Sequence, residues 1–287
     1  MYIAMRSLLF LFLILNPFYA FSKGVVVGNL KGQLGNQMFQ IAATIAHARN
    51  NDADYYFPDL IKIQEYNVPL NFKKIFFRIG LKALNPPFIP DYTYNQVGYE
   101  YIPIPYQPCM KLDGYFQSEK FFDGHQEEIL HLFAPSNRIL SYLVDKYSDI
   151  IEDPCSVAIH IRTYNKEDPH HLIYILHGRD YVEKAVEYFP EDSLFVVFSD
   201  DILWCQQNLQ GIRPNMRFIE GENYHHDFYL ISLCKHQIIS NSSFSWWAAY
   251  LNSNPDKIVI APKKWFQKSY KTNDEDIVPD SWISLDD

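Results

Sequence analysis

Residues 24–45 read GVVVGNLKGQLGNQMFQIAATI, and the change of period inside this stretch decides the fold class. Gly24-Val25-Val26-Val27-Gly28-Asn29-Leu30 is short, β-branched and apolar on both faces, as suits a strand buried inside a parallel sheet. Lys31 to Gly35 supplies two glycines for a turn. Beyond Asn36 the apolar residues Met38, Ile41, Ala42 and Ile45 recur at helical spacing. Strand, glycine turn and helix in that order open a βα unit and point to an α/β fold.

The second half of the chain repeats the alternation. Strands are expected over residues 157–161, 194–198, 216–219, 237–240 and 257–260, with helices over 180–189, 204–209, 227–235 and 244–251. Such a pattern implies a parallel sheet covered by helices on both faces. Between the halves, residues 112–118 are strand-like and lead into a helical stretch from 119 towards 147. Residues 57–108 show no clean period and hold many prolines and aromatics; they are expected to be irregular and to form one wall of a cleft. Asp153-Pro154 marks a lobe boundary. The expected organisation is residues 1–22, a lobe over 23–152 and a second over 153–287, each of roughly 130 residues, an ordinary domain size.

The first 22 residues stand apart. They carry Arg6 and an apolar run over 7–21 interrupted by Asn16 and Pro17, and Ala20-Phe21-Ser22 has a small-x-small pattern. The run is shorter than the roughly 20 residues that span a bilayer. A signal peptide or short signal anchor is expected, with membrane-associated or secretory delivery; an over-extended start on a cytoplasmic protein, or a buried helix, is the alternative.

Composition narrows the function. With 48% hydrophobic residues in 287, the chain can bury one large core or two modest ones. A net charge of −9 excludes a broad basic surface for a nucleic acid, so any phosphate site must be local. The aromatic residues mostly fill cores, although such rings also stack on sugars and bases. Cys109, Cys155, Cys205 and Cys234 show no CxxC spacing and no zinc-finger partnership with histidine, so buried free thiols are the default; in an oxidising compartment one or two disulfides are open, and spacing selects none. The histidine pairs at 170/171 and 225/226 lack the i, i+4 spacing of a helical metal site.

In open α/β sheets ligands lie beyond the carboxyl ends of strands, and four such ends here are polar. Gly32-Gln33-Leu34-Gly35-Asn36-Gln37 offers close backbone approach and the unpaired N–H groups of a new helix, without the GxGxxG of a dinucleotide site; taken alone, such a glycine turn after a strand is usually just a turn. His160-Ile161-Arg162 ends a strand whose alternation sends His160 and Arg162 to one side, where a guanidinium can clamp a diphosphate; a core histidine and a surface ion pair is the plain alternative. Ser199-Asp200-Asp201 follows another apolar strand. A carboxylate there can accept from guanine N1–H and its amino group, or simply cap a helix. Ser240-Asn241-Ser242-Ser243 opens a helix with hydroxyl and N–H donors together, a cradle for phosphate oxygens. Asn241-Ser242-Ser243 is also formally a glycosylation sequon, though its place in that cradle argues against occupancy.

Taken in order, Gly32 to Gln40, Gly114-Tyr115-Phe116-Gln117-Ser118, His160-Ile161-Arg162, Phe198 to Asp201 and Ser240 to Trp247 resemble the motifs of the α-1,2-fucosyltransferases, glycosyltransferase family 11. The resemblance implies a GT-B-like enzyme of two Rossmann-like lobes, needing no metal or other cofactor, that moves fucose from GDP-fucose to the 2-hydroxyl of a galactose-terminated glycan with inversion. It assigns the β-phosphate to Arg162 and nucleotide contacts to His160, Asp200 and Asp201. Asn241, Ser242 and Ser243 fall to the diphosphate, with Gly35, Asn36 and Gln37 approaching the reacting sugar from the other lobe. One departure matters: the family pattern continues after the histidine as any residue, arginine, arginine, any residue, aspartate, whereas this chain has Thr163, Tyr164 and Asn165 after Arg162. Another nucleotide-sugar transferase on the same scaffold, or a non-catalytic carbohydrate-binding relative, therefore stays open.

Overall fold

A computed structural model describes residues 23–62, 70–164 and 172–286. Two parallel sheets organise it. The first contains β1 (Gly24–Gly28), β2 (Ala53–Tyr56), β3 (Tyr92–Asn95) and β4 (Cys109–Asp113) in the order β2-β1-β4-β3. The 17-residue helix α1 (Leu34–Asn50) links β1 to β2. Single 3-10 turns interrupt the expected irregular segment before β3. After β4 come α2 (Gln126–Phe133) and α3 (Asn137–Ile151).

The second sheet has six strands. In chain order its elements are β5 (Ser156–Ile161), α4 (Arg179–Val186), β6 (Leu194–Ser199), α5 (Ile202–Leu209), β7 (Met216–Phe218), α6 (Tyr224–Leu233), β8 (His236–Ile238), α7 (Ser243–Leu251), β9 (Val259–Pro262) and β10 (Ile283–Leu285). The spatial order is β10-β9-β8-β5-β6-β7. All six residues of β5 are buried, as a central strand requires. Its Val157, Ile159 and Ile161 face the core formed with Tyr181 and Val182 of α4. Ala158 faces the opposite core, formed with α6 and α7, and strand alternation puts His160 on that side too.

Both sheets wind outward from an inner strand and then cross back, so each has a point where strand order reverses. In the first that point lies between β1 and β4, in the second between β5 and β8. The segments after Gly28, Asp113, Ile161 and Ile238 follow these four strands, while Ser199-Asp200-Asp201 follows β6, the neighbour of β5.

An aromatic seam joins the sheets. Most of α1 is buried, because it packs on β1 and also against α7. Phe39 of α1 meets Trp246 at 4.5 Å and Trp247 at 5.0 Å between ring centroids, and Phe122 stacks on Trp247 at 5.3 Å. Trp246 Nε1 donates to the Ile277 carbonyl at 2.7 Å, which satisfies its polar atom inside the apolar cluster. All four cysteines are free thiols. No helix among the described residues is long and apolar enough to cross a membrane, and residues 1–22 lie outside them.

Candidate active site

The two reversal points face one another through the first turns of α1 and α7. Gly35 makes this possible: a Cβ there would overlap the Ser243 carbonyl group and lie 2.6 Å from Phe244 N. Asn36 bridges the contact. Its Oδ1 accepts from Gln117 Nε2 at 2.7 Å and from Ser243 Oγ at 2.9 Å, so its NH2 is turned away from both. Gln37 is held in the framework instead, donating to the Gly32 carbonyl at 2.9 Å and accepting from Asn71 at 2.9 Å. Asn71 in turn accepts from Tyr224 OH at 2.8 Å, which ties this rim to α6.

The turn after β4 is locked from outside. Gln96 Oε1 accepts from the N–H groups of Tyr115 and Phe116 at 2.9 and 2.7 Å, while Phe116 takes a positive φ of 51°. A bulky side chain in that region is strained, and such strain persists only where surroundings enforce it. The turn thereby places Gln117 on Asn36 and Tyr115 beside Lys31, whose Nζ lies 5.1 Å from the ring centroid and 2.6 Å from Asp113.

Across the seam, β5 delivers His160 and Arg162. The imidazole shares a 3.0 Å hydrogen bond between Nδ1 and Ser240 Oγ and packs against the Phe244 ring. Burial, reinforced by the Arg162 charge, pushes its pKa down to about 3, so it is neutral at physiological pH. Arg162 Nη1 pairs with Asp200 Oδ2 at 2.9 Å, and Asp200 Oδ1 accepts from Thr163 N–H at 2.9 Å. Asp200 thus fixes the guanidinium. Asp201 caps α5 by accepting from Trp204 N–H at 3.0 Å.

The turn after β8 sits beside these groups because β8 pairs directly with β5. Tyr164 OH donates to the Asn241 carbonyl at 2.8 Å and pins the two strand ends together. Ser242 occupies the cap position of α7, but its side chain makes no capping hydrogen bond. Asn241 is 1% exposed and donates to the Trp265 carbonyl, so the folded sequon cannot accept a glycan. Arg162 and the start of α7 therefore border one crevice. Asn36 reaches it from the first lobe.

Sequence reading passed over Asp227. It lies in the first turn of α6, one residue before Phe228, which packs on Phe244. Its Oδ1 is buried without a hydrogen-bond partner among the described residues. Desolvation, with the Glu222 charge adding, pushes its pKa up to about 7. The available signal was a lone carboxylate opening the apolar run Phe228 to Leu233. Of the basic residues near the departure from the family pattern, Arg179 is committed to Glu183 and the Asn208 carbonyl. His170, His171 and Asn165 lie outside the described residues.

The profile of Glycosyl transferase family 11 matches residues 9–286. The chain belongs to this family. An Escherichia coli alpha-1,2-colitosyltransferase is 31% identical over 91% of the chain and 99% of its own length. The E. coli O-antigen biosynthesis glycosyltransferase WbnK is 30% identical over 89% of the chain and 99% of its own. Rabbit (Oryctolagus cuniculus) galactoside alpha-(1,2)-fucosyltransferase 2 is 27% identical over 83% of the chain and 70% of its own. Among solved structures, the NodZ alpha-1,6-fucosyltransferase soaked with GDP-fucose superposes with a TM-score of 0.53 at 12% identity, covering 82% of this chain and 97% of that one. That likeness shows the fold, which is GT-B-like, and the family makes the chain a glycosyltransferase.

Proposed function

We propose that the chain is an inverting galactoside α-1,2-fucosyltransferase that moves fucose from GDP-fucose to the 2-hydroxyl of a terminal galactose. The observation that carries this reading is the meeting of two strand-order reversals at one crevice, with Arg162 and the Ser242–Ser243 helix start on one side and Asn36 on the other. In this reading residues 153–287 hold the donor, residues 23–152 receive the acceptor, and residues 1–22 deliver the enzyme to a membrane or secretory compartment. The α-1,2 linkage is in the names of relatives from both E. coli and rabbit.

Inversion needs in-line attack by the acceptor oxygen as negative charge grows on the departing diphosphate. Arg162, the Ser242 hydroxyl and the first N–H groups of α7 are donors for that charge, with the Ser243 hydroxyl held on Asn36 Oδ1, and such donors act strongly where water is excluded. Neutral His160 contributes a hydrogen bond to the nucleotide rather than a charge. Asp200 orients Arg162 and Asp201 holds α5, so guanine N1–H and its amino group are assigned to Asp227, whose Oδ1 has no partner among the described residues. The transferred sugar is assigned to the Asn36 NH2, which lies beside Gly32, away from Gln117 and Ser243.

A second donor is favoured by the E. coli relative, since colitose is the 3-deoxy form of fucose. The test is a panel of GDP-fucose, GDP-colitose, GDP-mannose and UDP-galactose against galactoside acceptors, with and without EDTA, and product linkage read by NMR. Transfer of fucose to O2 in the α configuration, unaffected by EDTA, is expected. Transfer from GDP-colitose alone would reassign the donor. Sugar binding without any GDP binding in calorimetry would replace the enzyme with a carbohydrate-binding relative.

A further inference from the structure

Where the family pattern has a second arginine, this chain has Thr163, which is nearly buried and uses its N–H on Asp200. Arg162 and Asp200 cancel formally, and His160 is neutral. These three side chains therefore bring no net positive charge to the diphosphate site proposed above. Directed donors must then do the holding, and directed donors are only as good as their placement.

The neighbouring residue supplies placement. Tyr164 adopts φ = 45°, a left-handed conformation that is costly for a bulky side chain and persists where surrounding contacts enforce it. Those contacts converge on the crevice. The Arg162 guanidinium lies 5.6 Å from the Tyr164 ring centroid, within cation–π range. The ring stacks on Tyr174 at 4.8 Å and 8° between planes. Its hydroxyl donates to the Asn241 carbonyl, one residue before the Ser242–Ser243 start of α7. Tyr174 is anchored in turn by its bridge to Phe266 and by Gln267, which donates to the Tyr174 carbonyl.

We infer that Tyr164 is a positioning residue for the donor diphosphate, a strut that sets the distance between the Arg162 guanidinium and the Ser242–Ser243 helix start. The inference rests on the donor-site reading above. It makes the second phosphate, not the nucleoside, the part of the donor that depends on Tyr164. GDP and GMP share the base and ribose and differ in that phosphate, so together they isolate the effect.

The experiment is calorimetric binding of GDP and of GMP to the wild-type chain, Tyr164→Leu and Tyr164→Phe, with thermal unfolding of each ligand-free protein. Tyr164→Leu removes ring and hydroxyl and is expected to weaken GDP by about tenfold while GMP stays within about twofold, tenfold being the scale of one well-placed polar contact. Tyr164→Phe keeps the stack and loses the bond to Asn241, and about a threefold loss confined to GDP is expected. Should the leucine variant fail to fold, the phenylalanine variant decides alone. Equal weakening of GDP and GMP would reduce Tyr164 to general support of the fold and overturn the inference, as would unchanged GDP binding. Absence of GDP binding by the wild type removes the donor-site reading itself, and the inference with it.

Discussion

Arg162 and Asp227 are the two charged side chains whose roles are easiest to separate from their structural work. Arg162 is partly exposed and its pairing with Asp200 contributes little to stability, since ion pairs in contact with water are weak. Arg162→Ala should therefore lower transfer by about 10²–10³-fold, the scale of one donor lost from a charge-stabilising site, and leave the unfolding midpoint nearly unchanged. Steady-state kinetics beside a denaturation curve checks both halves; unchanged turnover would remove Arg162 from the mechanism. Asp227 is the opposite case. Its pKa rises from an ordinary 3.8 to about 7 in the folded chain, so between those values the folded state holds a proton that the unfolded state has released. Stability of the ligand-free chain therefore falls as pH rises from about 4 to 7, and the full cost is present above that. Asp227→Asn should remove the cost, stabilising the chain at pH 8 by roughly 1–3 kcal/mol, while weakening GDP at least tenfold. Thermal unfolding against pH and calorimetry with GDP measure the two; a variant that gained stability and kept its GDP affinity would end the guanine assignment.

At the scale of elements, the decisive contact is helix start against helix start. Gly35→Ala would drive a methyl group into the Ser243 carbonyl, and because the obstacle is backbone the helices must separate. A loss of about 1–3 kcal/mol and at least tenfold lower transfer are expected, because Asn36 would no longer reach Ser243. A variant with wild-type kinetics would show that the crevice tolerates a wider gap. This scale also separates what sequence conveys from what it withholds. Central strands such as β1 and β5 are apolar on both faces and were readable, as was the alternation that follows β5. β3 reads Tyr-Thr-Tyr-Asn, is short and mostly exposed at a sheet edge, and lacks any apolar pattern, so it vanished into the segment read as irregular. The long helical stretch expected after residue 119 is a 3-10 turn and two helices, divided where Ala134-Pro135 breaks the chain before Ser136 caps α3. The site divides in the same way. Strand-end residues announce themselves by polarity after an apolar run. The bonds of Gln117 to Asn36 and of Tyr164 to Asn241, about eighty positions apart in each case, exist only once the sheet that carries each pair has formed.

For the whole molecule, the question is whether two lobes on one seam fold as one unit. Phe39, Phe122 and Phe133 from the first half enclose Trp246 and Trp247 from the second, and these rings belong to one continuous buried cluster that reaches both sheets. Burial of each large side chain contributes about 1.5–3 kcal/mol, so the seam is of the same order as the whole net stability of a domain. Neither lobe retains this cover if the other opens, which argues for a single cooperative transition in the wild type. Trp247→Ala removes the ring that Phe39, Phe122 and Phe133 all touch. A loss of about 3–5 kcal/mol is expected, and with it a split into two transitions, because the lobes lose their shared core before either loses its own sheet. Denaturant unfolding followed by tryptophan fluorescence and by far-ultraviolet circular dichroism distinguishes the cases. Coincident curves should be seen for the wild type and separated ones for the variant; separated curves already in the wild type would mean that the lobes are stable apart and that the seam positions them without binding their folding together.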